Sequence, residues 1–235
     1  MIYGIIAALD EELLPLLERT EVHESKACCG TTIYRGELEG RQAVLCKCSI
    51  GTLNAAICTN IVIREFGATA VINTGIAGAL GEGVKVLDLV ISKDVTRYDI
   101  DAPIYHKYYP FTTVYEANAI LAGRAIKAAE ALQKPDGAPV RVHHGRVLTG
   151  DHFVESSQMK RELIAKYRPL CCEMEGAAVA HAALVNDCPF LVIRAMSDCA
   201  DENANESYDN LISHAGLLSA RTVLGILAQD DGSAL

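Results

Sequence analysis

Three carboxylates stand in this chain where an acid is hard to keep without a purpose: Glu12, Glu175 and Asp198. Each follows a short apolar run, respectively Ile2–Leu9, Leu170–Cys172 and Phe190–Met196. A carboxylate taken out of water costs free energy unless it is neutralised or partnered. Acids at the ends of core strands therefore point to a site rather than a solvated face. In a parallel sheet these three positions share one edge, the edge at which open α/β sheets build their pockets. Three acids with one arginine, Arg194, suit a cationic transition state. Cleavage of an N-glycosidic bond makes such a state, because the ribosyl carbon becomes oxocarbenium-like as the base departs. One acid would protonate the leaving base, a second would deprotonate water, and a third would hold ribose hydroxyls. Each assisted proton transfer is worth roughly 10²- to 10⁴-fold.

Plainer readings exist for the same residues. With Asp10 and Glu11, Glu12 also makes an acidic helix N-terminus that complements the dipole. Asp198 alone reads as a turn or N-cap acid. Met174 and Phe153 read as core residues. Glu173 reads as an edge residue or a structural partner, and Arg194 as the partner of a carboxylate. His181, in an Ala-rich helix, reads as a core or interface histidine. Signatures of other chemistries are missing. Gly75-Ile76-Ala77-Gly78 is not a GxGxxG fingerprint, and no G-x-x-x-x-G-K-[ST] or G-x-S-x-G occurs. Its small residues instead predict a tight turn or a close backbone approach.

The elements that must position these groups follow from periodicity. Ile2–Leu9 reads as a buried strand and Glu11–Glu18 as a helix. Thr31–Gly36 and Gln42–Ser49 read as a hairpin around Leu38-Glu39-Gly40. Thr52–Phe66 is a helix closed by Gly67, and Ala70–Thr74 a short strand. Val86–Ser92, Arg141–Thr149 and Pro189–Met196 are further strands. Ala117–Leu132, Ser156–Lys166, Gly176–Val185 and Asp209–Leu227 are further helices. Residues 99–115 carry five Tyr or Phe and two Pro. That is too aromatic for a solvated loop, and predicts a lid or a subunit contact. Strands alternating with helices imply a single-domain α/β fold. Its mixed, largely parallel central sheet is flanked by helices on both faces. That domain spans 1–229, and 230–235 is expected to be a frayed acidic tail.

The chain has 235 residues, half of them apolar, and a formal net charge of −9. Such a charge argues against nucleic acid or an anionic membrane as a main partner. No apolar stretch approaches the roughly 20 residues needed to span a bilayer, and the N-terminus lacks the basic start of a signal peptide. Nine cysteines at irregular spacings contain no CxxC pair. They are expected to be free, mostly buried thiols in a reducing cytoplasm, with no metal site and no cofactor.

Taken in order, several stretches resemble the 5′-methylthioadenosine/S-adenosylhomocysteine nucleosidases, within the purine nucleoside phosphorylase-like superfamily. They are Gly4–Ala8 with Asp10-Glu11-Glu12, Ile50-Gly51, Asn73–Gly78, Gly150–Phe153, Glu173-Met174-Glu175 with Ala180-His181, and Arg194–Asp198. The resemblance implies a nucleoside phosphorylase-like fold, a small nucleoside substrate, a homodimer and a place in methionine salvage. It implies that Asp198 protonates adenine N7, that Ser197 orients Asp198, and that Glu12 is the base on water, with Arg194 nearby. It further implies that Glu175 accepts from the ribose hydroxyls and Met174 packs under the sugar. Phe153 would stack on the purine, the Val154 backbone would read its edge, and Ile50 and Tyr208 would border the 5′-substituent. Three features depart from the pattern: Ile76 replaces a common serine, Tyr208 a common phenylalanine, and the aromatic stretch Tyr105–Tyr115 does not match the family segment that helps the neighbouring subunit close the 5′ pocket. Phosphorolysis, or a silent nucleoside-binding protein on the same fold, are the alternative expectations. The acidic Asp10–Glu12 run favours water over phosphate as nucleophile.

Overall fold

The computed structural model describes residues 1–200, 204–233 and 235, with the backbone alone over 204–210. Strand β1 (Ile2–Ala7) leads into helix α1 (Asp10–Leu17), whose first turn holds Asp10, Glu11 and Glu12. Strands β2 (Glu21–Cys28), β3 (Thr31–Leu38) and β4 (Arg41–Lys47) form an antiparallel meander. Its two turns, Cys29-Gly30 and Glu39-Gly40, have positive φ at both residues, as two-residue hairpins require. The β3–β4 hairpin matches the sequence expectation. β2 does not appear among the expected elements, because its polar residues are almost all exposed and carry no alternation.

Helix α2 (Thr52–Arg64) precedes β5 (Ala70–Ala79) and β6 (Leu89–Arg97). Within the aromatic segment lie a short helix, α3 (Ala102–Lys107), and strand β7 (Val114–Glu116), while Tyr108, Tyr109 and Phe111 stay exposed. Helix α4 (Ala119–Glu130) starts where the Asn118 side chain accepts the amides of Ile120 and Leu121, both at 3.0 Å. Strand β8 (Val142–Thr149), helix α5 (Ser157–Tyr167), strand β9 (Cys171–Glu173) and helix α6 (Gly176–Leu184) follow. Strand β10 (Phe190–Asp198) and helix α7 (Ala204–Ala228) complete the chain.

The parallel centre expected from the alternation is β4–β1–β5–β10. β5 is longer than expected. Gly75-Ile76-Ala77-Gly78 does not turn but continues the strand, because β10 pairs along it from Phe190↔Val71 to Asp198↔Gly78. Beyond the centre, β10 pairs with β6, β6 with β8, β8 with β9, and β9 antiparallel with the end of β5. These pairings close into a ring. The turnback of β9 brings its acidic end to the same place as the C-terminal ends of β1, β5 and β10, so the acids meet without all the strands being parallel.

Two apolar layers cover the sheet. α2 and α6 contribute Ala55, Cys58, Val62, Ala177, Val179, Ala180 and Ala183 on one face. α1, α4 and α7 contribute Leu13, Leu16, Leu121, Ala125 and Leu218 on the other. Leu211–Ala228 of α7 is long and apolar enough, by composition, to cross a membrane, with a mean hydropathy of 1.5. That overturns the expectation that no such stretch exists. Half of it is buried against β10, β5, α1 and α4, a core position that demands an apolar helix. All nine cysteines are free thiols and most are buried.

Asp230, the first residue of the expected tail, is anchored to the domain, while residues 231–233 are exposed. Its carboxylate is buried, lies 3.1 Å from Arg124 and 3.8 Å from Arg41, and is held below the ordinary Asp range, its partners outweighing burial. Asp231 adds a 3.2 Å contact to the same Arg124. The attraction of two arginines pins the start of this stretch at Asp230.

Candidate active site

A cavity of about 380 Å³ opens where β1, β5, β9 and β10 end. Nine residues expected at the site line it: Glu12, Ile50, Ile76, Phe153, Val154, Met174, Glu175, Ser197 and Asp198. The Tyr208 side chain lies outside the described residues. Arg194, expected among the substrate contacts, is fully buried behind the wall and does not line the cavity. It stands opposite Gly75 in the β5–β10 ladder, pointing among the acids rather than at a ligand.

Glu12 is placed by its position in the first turn of α1. One carboxylate oxygen accepts the amides of Ala8 at 2.7 Å and Leu9 at 3.0 Å, and the other accepts the amide of Ile76 at 3.0 Å. Side chains beyond Cβ make no part of the last bond, so Ile76 serves Glu12 through its backbone whether or not a hydroxyl stands there. Burial pushes the Glu12 carboxyl above its ordinary range, against the opposing pull of Arg194 and those amides. A carboxylate so raised is a stronger base than a surface one.

Glu173 and Glu175 flank the turn from β9 into α6. Glu173 accepts from the Thr149 hydroxyl, from the amides of Glu175 at 3.0 Å and Gly176 at 2.7 Å, and from Arg194. Its partner role matches the plainer reading, although the residue also lines the cavity. Glu175 accepts the Gly51 amide at 2.9 Å and lies 3.5 Å from Arg194. Burial lifts its carboxyl to about 7, with Arg194 opposing and Glu173 adding to the rise. Burial also works against the charge of Arg194, but Glu173, Glu175 and Glu12 outweigh it and raise its pKa. Asn73 accepts from the same guanidinium at 2.5 Å and donates to the Ile6 carbonyl at 3.0 Å, tying β1, β5 and β10 together.

Asp198 ends β10. Ser197 donates to its Oδ2 at 2.8 Å and the Ala200 amide to its Oδ1 at 2.8 Å, so its orientation is fixed locally. Across the cavity stand Phe153 and Val154, carried by the loop after β8, and Ile50 from the loop before α2. Phe153 and Ile50 are each nearly half exposed, apolar surfaces facing the same space. Sequence reasoning missed Ala8, Leu9, Ala77, Gly78, His152 and Cys172 as lining residues. Most of these offer backbone or a plain apolar wall, for which residue type carries no signal.

A description of the phosphorylase superfamily matches residues 2–228. The 5′-methylthioadenosine/S-adenosylhomocysteine nucleosidase of Halalkalibacterium halodurans is 36% identical over 233 residues, covering 96% of this chain and 97% of that protein. This chain belongs to that nucleosidase family. Among solved structures, the nucleosidase from Neisseria meningitidis in complex with methylthio-immucillin-A superposes with a TM-score of 0.90. It is 35% identical, with 97% of this chain and 99% of that one covered. The Colwellia psychrerythraea nucleosidase in complex with adenine gives a TM-score of 0.93 at 30% identity, covering 100% of this chain and 98% of its own. In the present nucleosidase the closed ring of strands is therefore the nucleoside phosphorylase-like fold, as the sequence resemblance implies.

Proposed function

We propose that this chain hydrolyses the N-glycosidic bond of 5′-methylthioadenosine, S-adenosylhomocysteine or a related 5′-substituted adenosine. The products are adenine and the 5′-substituted ribose. The observation that carries this reading is the cavity wall itself. Glu12, Glu173, Glu175 and Asp198 line it, and no Lys or Arg does so among the described residues. A phosphate dianion needs charged or amide donors in its pocket, and an acid-lined wall without Lys or Arg gives it no cationic partner. Water is neutral, and a raised carboxylate can deprotonate it.

In the reaction, Asp198 in its acid form donates a proton to adenine N7. The C1′–N9 electron pair then leaves with the neutral base, and positive charge develops on the ribosyl carbon. Glu12 takes a proton from water as its oxygen attacks C1′. Glu175, as carboxylate, accepts from the 2′- and 3′-hydroxyls and adds negative charge beside the developing cation. Phe153 offers its ring to the purine, Met174 its thioether to the underside of the sugar, and the Val154 backbone reads the base edge. Ile50 gives an apolar border for the 5′-group. Arg194 holds the carboxylates in register from behind.

A homodimer in the cytoplasm, serving methionine salvage, completes the proposal. The dimer is supported by adjoining helices α2 and α6, which with the residue after α6 expose Leu53, Ile57, Leu184 and Val185 at 78%, 52%, 42% and 44%. A reducing compartment suits nine free thiols. The test is adenine release from methylthioadenosine in phosphate-free buffer. The expected outcome is full turnover with the free thiosugar as product. A rate that requires phosphate, with the sugar 1-phosphate as product, would make the enzyme a phosphorylase instead. Tight binding without release would make it a binding protein.

A further inference from the structure

The loop after β8 holds one side chain that the chemistry above leaves without a role. Asp151 accepts the Thr52 amide through Oδ1 at 2.8 Å and the Thr52 hydroxyl through Oδ2 at 2.6 Å. Thr52 is the first residue of α2, and the N-cap position before it is Gly51. A helix start leaves its first amides without intrahelical partners, and a glycine cap has no side chain to satisfy them. Asp151 supplies the missing acceptor from 99 residues away along the chain. Its negative charge also suits the positive end of the helix dipole.

The amide immediately before, that of Gly51, donates to Glu175 at 2.9 Å. Gly51 has φ of 104°, a conformation that glycine reaches without strain. Two consecutive amides are thus divided between two carboxylates, one structural and one facing the sugar. Asp151 is itself held on its other side. Its amide donates to Asp99 at 2.9 Å, and Arg97, paired with Asp99 at 2.9 Å, reaches Asp151 at 3.4 Å. The same loop carries Phe153, and the residue before Gly51 is Ile50. One carboxylate therefore joins the loop on the purine side of the cavity to the loop on the 5′ side.

We propose that Asp151 is a positioning residue for glycosidic cleavage, which caps α2 so that the Gly51 amide stays aimed at Glu175. The inference rests on the hydrolase reading and deepens it. Glu175 is faced by Arg194 from β10, Glu173 from β9, Glu12 from α1, the Cys48 thiol after β4 and the Gly51 amide. Of these only the Gly51 amide depends on Asp151. Losing that donor removes a force holding the Glu175 proton off, so the carboxyl must titrate at higher pH.

The test is a double-mutant cycle of Asp151→Ala with Glu175→Gln, read as kcat/KM against pH and as affinity for an adenosine thioether inhibitor. Asp151→Ala is expected to lower kcat/KM about tenfold or more, as expected for a hydrogen bond to a charged group, and to move the acid limb upward in pH. In the Glu175→Gln background the same change is expected to cost less than about twofold. Asp151→Asn keeps an acceptor for the Thr52 amide but loses the charge, and is expected to fall between wild type and Asp151→Ala; it serves if the alanine variant folds poorly. Equal losses in both backgrounds, or an unmoved acid limb, would reduce Asp151 to an ordinary helix cap. A wild-type protein that released no adenine would sink the hydrolase reading instead, while the affinity cycle still decided the coupling.

Discussion

At the scale of single residues, the proposed chemistry asks one carboxyl, Asp198, to give a proton and another, Glu12, to take one. If Asp198 is the acid of the proposed reaction, Asp198→Asn keeps an N–H that can hydrogen-bond N7 but has no proton to transfer, and is expected to cost roughly 10²-fold or more in kcat, measured by adenine release under saturating substrate. Glu12→Gln is expected to do similar damage for a second reason. The carboxylate accepts three amides on its two oxygens, and the glutamine NH₂ would face at least one of them donor to donor. Its melting temperature should therefore drop as well, whereas that of Asp198→Asn should change less. The pH dependence follows from Glu175, lifted from an ordinary 4.5 to about 7 by burial. A raised acid keeps a proton in the folded state that the unfolded chain gives up. Its contribution to stability is full below 4.5 and lost as pH rises through about 7. In the proposed reaction sugar hydroxyls donate to the ionised form, so kcat/KM should fall as pH drops below that same region. Glu12 is raised too, so the acid limb reports the pair. Glu175→Gln should flatten the fall in melting temperature between pH 5 and 8.

Legibility at this scale was uneven for a physical reason. Acids at strand ends are readable because burying them has a cost, and Glu12, Glu175 and Asp198 each follow an apolar run in the sequence. Arg194 was readable as a charge near acids, but whether it faced a ligand or stood behind the wall depends on the β5–β10 register. Asp151 was visible only as part of a motif. Nothing local tells that its partner amide lies at the start of α2.

At the scale of elements, β5 and β10 form the spine that sets the acids. Gly75 shows how tight it is. A Cβ there would sit 2.3 Å from the Arg194 guanidinium and 2.5 Å from the Glu12 carboxylate. Both groups are buried and cannot swing away. Gly75→Ala should therefore destabilise the fold by about 1–3 kcal/mol and depress turnover, checked by denaturant melts beside kinetics. The small-residue run at 75–78 announced a close approach in the sequence, and close approach is what it provides. The accompanying expectation of a turn failed because strand continuation is decided by the pairing partner, β10, which lies more than a hundred residues away. β2 was missed for the opposite reason. It is an exposed edge strand whose polar residues guard against pairing with other chains, and guarding erases the alternation that identifies a strand.

At the scale of the whole molecule, Asp230 acts as a clasp between α4 and the start of β4. Ending the chain after Gln229 would leave Arg124, whose side chain is 10% exposed, without its acid. A loss of ~2 kcal/mol is expected, which lowers Tm by roughly 5 °C for a chain of this size; differential scanning calorimetry would read it. The α/β class and the two helical layers were legible because hydrophobic periodicity reports burial directly. The ring closure was not, since β9 is three residues long and its direction relative to β5 leaves no trace in local composition.

The insertion of β10 between β5 and β6 has a consequence for how the enzyme comes into being on the ribosome. The strand that brings Asp198 is the last one translated, yet it occupies an interior slot whose neighbours are made a hundred residues sooner. Nascent chains must keep two naked sheet edges apart until their final quarter emerges, a window in which chaperone capture competes with aggregation. No amino-terminal fragment, however well folded, can be active before that moment.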